Sequence, residues 1–143
     1  MTKKKKIISG CILICLFGIV GIYSYVNINK KNNFKISQVS WDAETANWWT
    51  DNTQDNIYDV KFQVLEGTDL REISSLKSTY NMKIDSNIES GDLNIKIYND
   101  NKILFEESGS VIETISISNN DSKNVRIETT GKKAKGHIKI KLV

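Results

Sequence analysis

Hydrophobic and polar positions follow two regimes along this chain. Residues 7–26 (IISGCILICLFGIVGIYSYV) form one apolar run without a charge, and beyond Asn56 apolar positions recur at every second residue in short bursts. The first regime predicts a transmembrane helix, since twenty residues at about 1.5 Å each reach about 30 Å, the hydrocarbon thickness of a bilayer. Tyr23 and Tyr25 stand at its distal end, where amphipathic rings favour the interface. Gly10, Gly18 and Gly21 are ordinary in lipid-embedded helices. The run exceeds the apolar region of about 7–15 residues that a cleavable signal peptide uses, and Ser24-Tyr25-Val26 is a poor cleavage context. An uncleaved anchor is expected.

The second regime predicts strands near Tyr58–Leu65, Leu70–Leu76, Tyr80–Ile84, Leu93–Tyr98, Lys102–Glu106, Val111–Ile117, Val125–Thr129 and His137–Leu142. Leu93, Ile95 and Ile97 alternate with Asn94, Lys96 and Tyr98, and Ile138, Ile140 and Leu142 alternate with Lys139 and Lys141. One dry and one wet face per strand is the antiparallel pattern. Asn99-Asp100-Asn101 reads as a hairpin turn, because Asn and Asp tolerate left-handed backbone angles. Thr68 to Lys77 also admits a short N-capped helix, with Leu70, Ile73 and Leu76 on one face. Upstream, Phe34 to Trp41 changes parity between Ile36 and Val39, which predicts a bulge or two short pieces. Asp42 to Asn56, rich in Asp, Asn and Thr, reads as a loop carrying Trp48-Trp49.

The expected fold is therefore all-β: an antiparallel β-sandwich, jelly-roll or immunoglobulin-like, preceded by one N-terminal transmembrane helix. The expected division is a basic cytoplasmic tail at 1–6, the anchor at 7–26, a linker with a Trp-rich segment at 27–56, and an exported sandwich at 57–143.

Charge location changes the functional picture. The formal net charge is +3, but Lys3, Lys4, Lys5 and Lys6 supply it; from Asn27 onward there are 16 cations against 17 anions. A duplex binder concentrates cations on its folded domain, so no nucleic-acid partner is expected. The lysine tail keeps the N-terminus cytoplasmic and places the C-terminal domain outside the membrane. The 21 Ile, 15 Asn, 3 Ala and no Pro point to an AT-rich, low-GC bacterial source. Cys11 and Cys15, the only cysteines, lie inside the anchor, so the exported part has no disulfide and no Cys-based zinc site. Ile8-Ser9-Gly10-Cys11 is similar to a bacterial lipobox, but only Ile7 and Ile8 separate Ser9 from the lysines.

The segment Ser90-Gly91-Asp92-Leu93-Asn94-Ile95-Lys96-Ile97-Tyr98-Asn99-Asp100 resembles the corresponding stretch of bacterial pre-peptidase C-terminal domains. The resemblance continues through Glu113–Ile117 and Val125–Glu128 to Gly136–Ile140, covering about Tyr58 to Val143. The chain is also similar to small β-sandwich proteins of unknown function, anchored or secreted by low-GC Gram-positive bacteria. The family pattern leads its penultimate strand with Gly-x-Tyr, where this chain has Ser122-Lys123-Asn124-Val125. The resemblance implies an accessory domain without catalysis of its own.

Candidate chemistry is sparse. The single histidine, His137, has the parity of the wet face beside Lys135 and Lys139, away from any recognisable nucleophile. Asp51 with Asp55, Asn99–Asn101 and Asn119–Asp121 lack the spaced ladder of a calcium loop and read as turns. No cofactor, metal or catalytic residue is expected, and the protein reads as a non-enzyme. Two surface features remain as a ligand or partner surface. Trp41, Trp48 and Trp49 form an aromatic patch, able to pack on the sandwich edge or to meet sugar rings, a partner or lipid. Lys132, Lys133, Lys135, Lys139 and Lys141 form a basic patch, suited to the wet face of a sheet or to an anionic envelope polymer. The expected function is a single-pass membrane-anchored binding or accessory module, with membrane lipid around residues 7–26. The alternative is a structural or regulatory subunit that assembles with other membrane proteins through the anchor.

Overall fold

A computed structural model of the chain describes residues 32–143. The basic tail, the apolar run at 7–26 and the first residues of the spacer lie outside the described residues. Within them the chain is all-β. The strands are β1 (Phe34–Asn47), β2 (Thr50–Asp51), β3 (Ile57–Ser75), β4 (Tyr80–Tyr98), β5 (Ile103–Ser108), β6 (Val111–Ile117) and β7 (Val125–Leu142). All pairings are antiparallel, in the order β1-β3-β7-β4-β5, with β2 also on β3 and β6 also on β4.

Three pairs of expected strands are each one long strand. β3 joins the first two, β4 the next two and β7 the last two. Register shifts interrupt all three near their middles: between Phe62 and Gly67 in β3, and between Ile88 and Asp92 in β4 where it pairs with β7. At these shifts the buried parity changes. In β3 the inward residues run Tyr58, Val60, Phe62 and then Leu65, Asp69, Arg71, Ile73; in β7 they run Val125, Ile127, Thr129 and then Ala134, Ile138, Ile140, Leu142. A bulge adds one residue, so each half keeps its apolar side inward while the strand turns.

The turn folds the sheet onto itself. Tyr58 and Asp69 are eleven residues apart in β3, about 36 Å along a straight strand. Yet the Tyr58 hydroxyl donates to Asp69 Oδ2 at 3.0 Å and reaches Thr129 Oγ1 at 3.3 Å. One layer thus contains β2, the first halves of β3 and β4, the second half of β7, and β6. The other contains β1, the opposite halves of the same long strands, and β5. The result is a β-sandwich whose layers share their three central strands. At the end away from the bend, Phe34 and Tyr80 meet edge to face with centroids 5.3 Å apart.

Close backbone approach at the bend requires glycine. Gly91 has φ +73°, and a Cβ there would lie 2.2 Å from the Lys133 carbonyl oxygen; Gly67 has φ +135° and would meet Ala43 Cα at 2.3 Å. The core holds Phe62, Leu65, Met82, Ile84, Leu93, Ile95, Ile97, Ile127, Ile138 and Ile140, all almost fully enclosed. Each such side chain contributes about 1.5–3 kcal/mol on burial.

One expectation is corrected. The stretch read as linker and loop is structural: β1 pairs with β3 from Phe34↔Ser75 to Asn47↔Val64, and the compact unit begins at Asn32. Polar side chains can occupy an edge strand because only one of its faces is covered, and the composition hid this. The strand expected from Leu70 forms as part of β3, in place of the alternative helix, and Leu70 pairs with Ser40 and Glu128 on the outer face. The bulge expected after Ile36 is present between Gln38 and Ser40. The Asn99 turn also forms, with Asn99 Oδ1 accepting from the amides of Asn101 and Lys102.

Candidate functional site

The three tryptophans divide between structure and surface. β1 and β2 are edge strands of opposite layers, so Trp41 and Trp49 face each other across the open side of the sandwich. Trp49 stacks on Phe62 at 5.8 Å and 16°, and Trp41 meets Trp49 edge to face at 4.4 Å and 71°. Trp48 differs. It occupies the turn between the two strands with φ 52°, a left-handed angle uncommon for a bulky side chain, and is 83% exposed. Beside it is a cleft of about 240 Å³ lined by Thr50, Lys61, Phe62 and Gln63.

Behind this edge lies a buried polar network that alternation gave no sign of. Asp69 is fully buried and Arg71 nearly so. Asp69 accepts from Arg71 Nε at 2.8 and 2.9 Å, from Tyr58 at 3.0 Å and from Gln38 Nε2 at 3.1 Å. Arg71 then reaches the other layer, its second terminal nitrogen 2.8 Å from Asp51 Oδ2 in β2. Four hydrogen bonds and a paired cation offset the cost of enclosing the Asp69 charge. Burial works against ionisation of Asp51, but hydrogen bonds from Thr53 and then Arg71 outweigh it and hold the carboxyl below its ordinary range. Burial, reinforced by the Asp69 charge, raises the Tyr58 phenol well above its usual value. The network acts as a tie between layers.

The lysines are dispersed. Lys132 and Lys133 are exposed at the bend of β7, with Lys133 at φ 51°. Lys135 pairs with Glu89 at 2.6 Å, and Lys139 lies 3.7 Å from Asp59, which also receives His137 Nε2 at 2.7 Å. Lys141 is exposed, opposite Lys83 of β4 and Ile57 of β3. The basic patch is thus partly neutralised, and Trp48 lies beside Lys61, which the sequence did not single out. Among the described residues no group of three or more His, Cys, Asp or Glu is placed to hold a metal ion.

A larger cleft, of about 500 Å³, opens at the bend between β7, β4 and the β5–β6 turn, lined by residues including Asp92, Asn94, Ser108, Thr130 and Lys132. Sequence reasoning missed it, because its side chains come from three strands and meet only through register.

No protein-family model matches the chain, and no curated protein matches it in sequence. Among solved structures it is similar to a chain described as "CBM4 structure and function", at TM-score 0.35 and 10% identity over 80% of this chain and 88% of that one. It is also similar to a Drosophila melanogaster CENP-C cupin domain, at TM-score 0.28 and 10% identity over 69% of this chain and 75% of that one.

Proposed function

We propose that this chain is a single-pass, membrane-anchored extracytoplasmic protein whose β-sandwich is a non-catalytic binding or accessory module of a bacterial envelope. In this reading the sandwich is of jelly-roll or immunoglobulin-like kind and allied to the pre-peptidase C-terminal domains that Ser90–Asp100 resembles. The lysine tail and the apolar run support the anchor and its orientation.

The observation that carries the binding role is Trp48. An indole that is 83% exposed forgoes most of the burial that makes tryptophan stabilising. Its left-handed backbone adds a cost of about 1–2 kcal/mol. Neither feature helps the fold, whereas an exposed aromatic beside Lys61 and a shallow cleft suits recognition of a ring-bearing ligand or a partner surface. Trp48 also lies at the far end of the 14-residue β1 from Phe34.

The test has two parts. Protease added to intact, wall-stripped cells should remove the sandwich; complete protection would refute the orientation. Purified cell-wall sacculi should co-sediment the full-length protein in detergent, and Trp48→Ala should abolish this while thermal unfolding stays unchanged. Equal sedimentation of both proteins would refute the role of Trp48.

A further inference from the structure

We propose that the cleft at the bend is a binding site for an uncharged oligosaccharide, independent of Trp48. Its floor is part of a polar row on the outer face of one layer. Register aligns Asp42, Thr68, Thr130, Asn94 and Ser108 across β1, β3, β7, β4 and β5. Neighbouring strands stand about 4.8 Å apart, so this row offers a polar group at each step of a ladder.

The row is held in place by its own bonds and still has capacity left. Thr68 Oγ1 and Thr130 Oγ1 lie 3.0 Å apart, and Asn94 Nδ2 donates to Ser108 Oγ at 3.2 Å. These bonds fix the rotamers and leave the Asn94 carbonyl as an acceptor and the Ser108 hydroxyl as a donor. Asp92 and Lys132 face each other in register at the cleft's end, yet they do not close into an ion pair. Among the described residues neither side chain has an ion-pair partner, so each keeps hydrogen-bonding capacity.

Charge and chemistry select the ligand class. One carboxylate and one ammonium cancel, so Asp92 disfavours a polyanion and Lys132 a polycation. The cleft's other polar side chains, Asn94, Ser108 and Thr130, are an amide and two hydroxyls, mixing donors and acceptors within a few ångströms. Sugar hydroxyls both donate and accept, and adjacent hydroxyls bridge such pairs. The volume is within the range of small-ligand sites, about 300–1,000 Å³. The floor is largely pre-ordered, which reduces the entropy cost of binding. Gly109 borders the cleft with φ +82°, and a Cβ there would meet nothing within 4 Å.

The experiment is an NMR titration of the isotopically labelled full-length chain in detergent micelles. The probes are maltotetraose and the N-acetylglucosamine tetramer, with polyphosphate as the anionic control. At least one oligosaccharide should shift the amides of residues 91–94, 108–109 and 130–132, and polyphosphate should not. Asp92→Ala with Asn94→Ala should weaken binding by about tenfold or more, the equivalent of one or two lost hydrogen bonds. Gly109→Asn, which tolerates the positive φ, should block the cleft sterically and serves as the second variant should the first unfold. Trp48→Ala should leave these shifts unchanged, which separates this site from the one proposed above. No shifts with either sugar, shifts that survive the folded variants, shifts lost in Trp48→Ala, or stronger shifts with polyphosphate would each overturn the proposal.

Discussion

Trp41 and Trp49 meet edge to face, with ring centroids 4.4 Å apart, where the edges of the two layers face each other. Trp49 also stacks on the buried Phe62, so the pair continues the core outward. Trp49→Ala should cost about 2–3 kcal/mol, somewhat less than loss of a fully enclosed tryptophan. Trp48→Ala should change stability by no more than about 0.5 kcal/mol. A Trp41/Trp49 double-mutant cycle in urea should give a coupling of about 0.5–1.5 kcal/mol. Additive single effects would show that the contact holds nothing together.

Arg71 is the cation that compensates the enclosed Asp69. Arg71→Met removes it and leaves an unpaired carboxylate in the core, an expected loss of about 3–5 kcal/mol. The double variant Asp69→Asn with Arg71→Met should recover part of that loss, because the stranded charge is gone. Urea midpoints of the three proteins measure this, and a double variant weaker than Arg71→Met would contradict it.

Asp51 gives the tie an acid limit. Its carboxyl is held below the ordinary 3.8 in the folded protein. A lowered folded value means that stability is present above the unfolded value and lost as pH falls through the folded one. Urea midpoints should therefore decline below about pH 4. Asp51→Asn should be less stable at neutral pH and show a shallower decline in acid.

Tyr80 sets a limit in alkali. Its hydroxyl is buried and has no hydrogen-bond partner among the described residues, and burial pushes its pKa up to about 12. The unfolded phenol ionises near its ordinary value of 10 while the folded one does not, so stability falls as pH rises from 10 toward 12. Tyr80→Phe should add about 1 kcal/mol at neutral pH by removing an unsatisfied group. It should also flatten, without abolishing, the alkaline decline, because the Tyr58 phenol is raised as well.

The bend depends on Gly91 in a way that Gly109 does not share. Both have positive φ, but only at Gly91 does an added Cβ meet backbone. Gly91→Ala should cost about 3–5 kcal/mol, from left-handed strain plus overpacking. Gly109→Ala should cost about 1–2 kcal/mol, from strain alone. Thermal unfolding of the two variants side by side provides the check, and equal losses would show that the contact with Lys133 is not limiting.

Much of the fold was readable from alternation. Leu93, Ile95 and Ile97 face inward as their spacing implies, as do Ile138, Ile140 and Leu142. What alternation could not reveal was continuity. Polar middles such as Ser90-Gly91-Asp92 read as turns between strands, but here they are bulged passages within one strand. β1 was hidden for a related reason: an edge strand carries Asp, Glu and Thr on its open face, and such composition resembles a loop. The candidate surface was readable only in part. Trp48 is exposed, whereas Trp49 packs against the core and Lys135 is paired with Glu89.

The sequence by itself determined that this chain forms antiparallel strands with one dry face each, and where its charge excess lies. Those are local properties, set by a two-residue period and by composition. Only the tertiary structure decided that β3, β4 and β7 each pass through both layers, and that Asp69 and Arg71 turn inward while Leu70 turns out. The reason is that a single bulge reverses every side chain beyond it. The energy of the reversed pattern depends on partners from other strands: Tyr58, Gln38 and Asp51 stabilise the enclosed charges only once the sheet has folded over.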